Sequence, residues 1–232
     1  MELYKVLLAD GYRVLTIDYR GFGDSGATLE AEKSMVEDAR AAVGWLRDSG
    51  RMGESDRLIV WGHSMGTGVA TRAVAEELKD STVVSGLILE APFNNFTDEV
   101  IHVITSAYYD IPTSAMAMAI SHSDPHLLSQ ILANFDMQFQ SDSWIEAISC
   151  PIMILHAMGD ALVPISLARK LYDAAVATGH HKVEFHEFDN NYDHRESLSD
   201  NKSIRYLLYL VYIFYKIIKS YRLNEKYFQH NL

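Results

Sequence analysis

At 232 residues the chain is long enough for one sizeable domain with a proper core, and its 48% hydrophobic content is ordinary for a globular protein. A formal net charge of −11, with no basic cluster, excludes nucleic acid as a partner. One cysteine, Cys150, excludes an internal disulfide framework and a cysteine-rich metal site.

Residues 1–9 have apolar side chains at helical spacing (Leu3, Val6, Leu7) and read as the end of a helix stopped by Asp10-Gly11. They carry neither the basic start nor the cleavage site of a signal peptide, and no stretch of the chain reaches the ~20 apolar residues of a membrane span. Tyr12–Asp18 is predicted as a strand, followed by the turn-rich Tyr19–Gly26. Residues 33–48 are predicted as an amphipathic helix with Val36, Ala39, Val43 and Leu46 inward. Arg57–Trp61 is a short apolar run with a β-branched centre and reads as a buried strand. From Gly66 the period becomes helical, with Val69, Ala70, Ala73, Val74 and Leu78 on one face. Ser85–Glu90 is the next strand.

Residues 93–149 then break the rhythm. They show helical patches at Asn95–Ala107 and Thr113–Ile120 and no strand pattern, as a cap inserted over a site would. Alternation resumes with a strand at Pro151–His156, a helix at Pro164–Thr178 and a strand at Lys182–Phe188, and a long helix is predicted over 202–222. Strands alternating with helices imply a single α/β domain over 1–232, with a mostly parallel sheet and helices on both faces.

Between the Arg57–Trp61 strand and its helix stands Gly62-His63-Ser64-Met65-Gly66. A G-x-S-x-G run in a strand–turn–helix setting is a nucleophile elbow, which presents the serine hydroxyl above the sheet edge. Both flanking glycines are expected to be required for lack of room. The Met65 N–H, at a helix N-terminus, is expected to donate to an oxyanion.

A serine nucleophile needs a base, and the base needs an acid to orient it; on such elbows they follow in the order Ser, Asp or Glu, His. Asp160, in the loop after Pro151–His156, fits the acid. Glu90, closing the previous strand, is the alternative. Among ten histidines, position selects His194, in the loop after the last strand. His63 flanks the nucleophile, His102, His122 and His126 precede the acid, and His156 reads as structural. His180, His181 and His186 lack the carboxylate or cysteine spacing of a metal site. No metal or cofactor is called for.

The blocks Ile17–Ser25, Trp61–Thr71, Leu87–Asn95 and Ser149–Ala157, running on to Asp160, resemble the α/β-hydrolase-domain protein twelve family, lipases of lysophosphatidylserine and monoacylglycerols. The resemblance runs from residue 1 to about 198. It implies an α/β-hydrolase fold with the cap after the sixth family strand. It puts Ser64, Asp160 and His194 on the family's nucleophile, acid and base, with no cofactor. It also implies a lipid ester substrate, a membrane surface as partner and an endoplasmic reticulum membrane location. By the same resemblance an N-terminal anchor, three strands and a His-Gly loop carrying a second oxyanion N–H would precede residue 1. The chain therefore reads as N-terminally truncated, with a gap between the Tyr12–Asp18 and Arg57–Trp61 strands.

Ile204–Ile218 is apolar nearly all round and reads either as a buried terminal helix or as a membrane-surface segment. Asn95-Phe96-Thr97 and Asn201-Lys202-Ser203 match glycosylation sequons. The function expected is hydrolysis of acyl esters of lysophospholipids or monoacylglycerols. The alternatives are an impaired fragment that acts only as a binding partner, and a protein-depalmitoylating thioesterase.

Overall fold

The computed structural model describes residues 2–26, 28, 31–53, 56–77, 84–105, 124–179 and 182–189. The chain divides into two compact units. The larger, Ile17–His194, contains the sheet; the described part of the smaller is residues 2–16.

In the smaller unit, helix α1 (Glu2–Ala9) ends where Gly11 takes φ +86°, a left-handed position that favours glycine. In the larger unit the elements run α2 (Glu32–Asp48), β1 (Leu58–His63), α3 (Met65–Glu77), β2 (Val84–Glu90), α4 (Phe96–Thr105), α5 (Pro125–Asn134), α6 (Ser141–Trp144) with a 3₁₀ turn at Ile145–Ala147, β3 (Ile152–Ala157), α7 (Ile165–Ala177) and β4 (Val183–Phe188). The four strands are parallel in the order β1-β2-β3-β4. Because each strand returns through a helix, the carboxyl ends of all four lie along one edge.

The central strands β2 and β3 are buried at every residue, as expected of a parallel sheet covered on both faces. On one face Leu87, Leu89, Ile152 and Ile154 pack with Ala70 and Val74 of α3 and with Ala168 and Leu171 of α7. A second cluster joins Met35 and Val36 of α2, Val69 and Ala73 of α3, and Phe93, Phe139 and Leu167. Glu32 ties these parts together. Its buried carboxylate accepts from Arg72 Nη1 at 2.9 Å and from the Phe139 N–H at 2.6 Å, joining α2, α3 and the chain after α5. Arg20 clamps the turn after Asp18 to α2, with Nε 2.9 Å and Nη2 2.6 Å from Asp38 Oδ1.

The structure corrects one element. Tyr12–Asp18 forms no strand: its residues enter no ladder, and Leu15 and Ile17 are exposed. An apolar alternating run becomes a strand only when a neighbour supplies hydrogen bonds and a face supplies burial. Among the described residues β1 is paired on one side alone, with β2, and its first four residues are only half-buried. Between β2 and β3 the described residues hold helices and no strand. The predicted helical patch Thr113–Ile120, the helix over 202–222 and the sequon at Asn201 lie outside the described residues.

Candidate active site

Ser64 stands at the turn from β1 into α3 with φ +52°. A left-handed backbone is uncommon for a residue with a side chain and persists only where the surroundings enforce it. Here they do. The Ser64 N–H donates to the Glu90 carbonyl across the sheet edge at 2.9 Å. The Ser64 carbonyl accepts from the Thr67 N–H at 2.8 Å and from Thr67 Oγ1 at 2.6 Å. Met65 is the first residue of α3, so its N–H has no carbonyl of its own helix to meet.

The two glycines of the motif differ. A Cβ on Gly62 would fall on the Gly66 carbonyl and lie 2.7 Å from Thr67 Cα, all backbone. A Cβ on Gly66 would meet nothing within 4 Å. The expectation that both glycines are required for room is therefore corrected: Gly62 lets β1 and α3 approach, and Gly66 does not. A glycine that the motif does not include, Gly68, is the second tight position. Its Cβ would sit 2.7 Å from Phe139 Cδ1, in the aromatic cluster Phe93–Phe96–Phe139.

Asp160 follows β3 by three residues. Its side chain is fully buried, and Oδ1 accepts from the N–H groups of Leu162 at 3.0 Å and Val163 at 2.9 Å. It is thus a buried acid whose loop is closed by its own carboxylate. Oδ2 lies 3.6 Å from Nε2 of His156. His156 is structural, as expected: it is 1% exposed and Nε2 donates to the Val163 carbonyl at 2.8 Å.

Glu90, the alternative acid, is buried and engaged elsewhere. Trp61 Nε1 donates to its Oε2 at 3.1 Å, and His63 Nδ1 lies 3.6 Å from the same oxygen. Hydrogen bonding to Glu90, opposed by burial and aided by the charges of Glu90 and Asp160, raises the His63 pKa above its usual value. His63 is thereby held as a partner of Glu90, beside Ser64.

Ser64 and Asp160 sit just past the carboxyl ends of β1 and β3, the strands on either side of β2. His194 lies outside the described residues, as do His122, His180 and His181. Among the described residues no group of three His, Cys, Asp or Glu could hold a metal ion. The sequon asparagine Asn95 is committed to the fold. Its Oδ1 accepts from the Asp98 N–H and its Nδ2 donates to Asp142, both at 2.9 Å.

Sequence reasoning missed Glu99. This α4 residue is 6% exposed, and burial together with the charge of Asp160 pushes its pKa up to about 8. The available signal was its place one turn before His102, on a helix expected to cover the site. Also missed was Ala91, a second left-handed residue (φ +49°) at the carboxyl end of β2, whose N–H donates to the Leu155 carbonyl at 2.8 Å.

A strained serine on a strand–helix turn at the carboxyl edge of a parallel sheet, with a buried acid past a later strand, defines an α/β hydrolase. The comparisons with known proteins agree. The chain belongs to the serine aminopeptidase S33 family of hydrolases, whose model matches residues 1–146. It is 40% identical over 199 residues to lysophosphatidylserine lipase ABHD12 of Danio rerio, covering 84% of this chain and 48% of that protein. It is 33% identical over 176 residues to Protein ABHD12B of Homo sapiens, covering 75% of this chain and 45% of that protein. The chain thus spans about half the length of the curated relatives it matches. Among solved structures, the Pyrococcus furiosus esterase Pf2001 shares the fold with a TM-score of 0.63 at 20% identity, over 92% of this chain and 72% of that one.

Proposed function

We propose that this chain is a serine hydrolase that cleaves carboxylic esters of lysophospholipids, lysophosphatidylserine among them, and of monoacylglycerols. The observation that carries the reading is the left-handed Ser64 at the β1–α3 turn. Ser64 Oγ attacks the ester carbonyl carbon while His194 takes the hydroxyl proton. Asp160 orients His194 and stabilises its imidazolium. The oxyanion forms opposite the Met65 N–H, a donor of a kind whose loss typically costs ~10²–10³ in turnover. As the intermediate collapses, the glycerol-side alcohol leaves with the proton from His194. Water, deprotonated by His194, then attacks the acyl-enzyme and releases the fatty acid and free Ser64. The substrate class rests on the names of the curated relatives and on the sequence blocks described above, which also favour a membrane surface and the endoplasmic reticulum membrane as the setting.

The test is fatty-acid release from lysophosphatidylserine, a monoacylglycerol and an acyl thioester in mixed micelles, by the chain and by its Ser64→Ala variant. Release from the two oxygen esters that Ser64→Ala abolishes supports the reading. A preference for the thioester, or release that survives Ser64→Ala, overturns it.

A further inference from the structure

Helix α4 begins at Phe96, six residues past the end of β2, and meets the loop that carries Asp160. His102, one turn beyond Glu99, makes that contact, with Nε2 3.2 Å from the Ala161 carbonyl. A carbonyl only accepts, so this ring nitrogen carries the hydrogen. Glu99 is 94% buried, the complement of its 6% exposure. Its Oε2 is sealed from solvent without a hydrogen-bond partner among the described residues.

The neighbouring titratable and charged groups among the described residues have other engagements. On α4, Asp98 accepts from Lys170 Nζ of α7 at 2.7 Å. On α5, His126 lies 3.1 Å from the Gln130 amide nitrogen. His156 of β3 donates to Val163, and His63 lies against Glu90. The charge that acts on Glu99 is that of Asp160, and it has the same sign. A second negative charge beside a buried carboxylate disfavours ionisation, and burial without a donor disfavours it further. The Asp160 carboxylate receives two backbone N–H groups on Oδ1. Glu99 Oε2, with no donor among the described residues, has nothing to stabilise a charge.

We infer that Glu99 is a positioning residue for the hydrolysis proposed above: an uncharged carboxylic acid, buried on α4 one turn from the His102 contact with the Asp160 loop, that spares that loop a second negative charge. The inference rests on that reading for its catalytic half. When Glu99 loses its proton, the second buried charge repels Asp160 and drives the loop off α4. The acid that orients the base is then displaced. Burial and the charge of Asp160 set that event at a pH of about 8.

The test compares the wild-type chain with Glu99→Gln, which is permanently neutral and of the same shape. Expected is a kcat/KM on a lysophospholipid ester equal within about twofold at pH 7. Above pH 8 the wild type loses rate about tenfold per pH unit, as a single ionisation requires, and Glu99→Gln holds its rate to pH 9.5. Coincident profiles overturn the inference, as does a loss of more than tenfold in folded Glu99→Gln at pH 7. The urea midpoint of both proteins between pH 5 and 9, on a Ser64→Ala background, reads the ionisation without any activity. Convergence of the two curves toward low pH and divergence up to about pH 8 supports the neutral acid even if the esterase reading fails; parallel curves overturn it.

Discussion

The two glycines that frame Ser64 give opposite predictions for the same substitution. In Gly62→Ala the new methyl lies 2.7 Å from Gly66 C and Thr67 Cα, against the 3.4 Å at which ordinary contact begins. The shortfall is 3.4 − 2.7 = 0.7 Å, and the opposing atoms are backbone at the start of α3, so no side chain can swing aside. Overpacking of this kind costs about 1–3 kcal/mol, and with backbone on the far side the upper end applies. The movement that relieves it separates β1 from α3 at the residue between them, and a displacement near 1 Å at a reacting group costs on the order of 10²-fold in rate. In Gly66→Ala the methyl meets nothing within 4 Å, and φ is not in the left-handed region. Replacing a helical glycine by alanine then stabilises by roughly 0.5–1 kcal/mol. Urea unfolding of the three proteins, with ester hydrolysis at saturating substrate, measures both effects. A Gly62→Ala protein as stable and active as the wild type would refute the reasoning, and so would a Gly66→Ala protein that falls as far as Gly62→Ala.

Three further outcomes follow from the same geometry. Gly68→Ala sets a methyl 2.7 Å from buried Phe139 and is expected to cost about 1–3 kcal/mol. Phe139→Leu in the same chain should recover part of that loss, a coupling that a double-mutant cycle by urea unfolding reads directly. Asp160→Asn keeps an oxygen for the Leu162 and Val163 N–H groups, so the protein should fold. Turnover should fall on the order of 10⁴-fold, as when a triad acid loses its charge; a loss below tenfold would remove Asp160 from the role of acid. His63 has a pKa raised above its unfolded value by Glu90. Its pairing therefore stabilises fully below about pH 6.5, and that contribution is lost as pH rises through the folded value. The difference in urea midpoint between wild type and His63→Asn should shrink across that window. The effect should be small because half of the ring is in water.

The parallel α/β order was legible because four strands and their helices each carry a local period. Val69, Ala70, Ala73 and Val74 declare the inward face of α3 without reference to anything distant. The elbow was legible for the same reason, since Gly62-x-Ser64 lies between two strong local patterns. What the sequence hid depends on partners far along the chain. The Glu32 carboxylate receives the Phe139 N–H 107 residues away, and Gly68 is tight because Phe139 lies against it. Tyr12–Asp18 has the residues of a strand, but a pattern cannot say whether a neighbouring strand is there to pair with. Gly66 was misjudged because a motif reports which residues recur, not which of them lacks room. Glu99 was passed over because an acid in an amphipathic helix looks solvated until its burial in the fold is seen.

The chemistry of Ser64 itself tests most directly whether this chain is a serine hydrolase. The folded chain is treated with a fluorophosphonate ester, and the modified peptide is identified by mass spectrometry beside a Ser64→Ala control. One adduct per chain is expected, on Ser64, and none on the variant. A folded protein that stays unmodified, or that carries its adduct on another serine with Ser64 untouched, would contradict it.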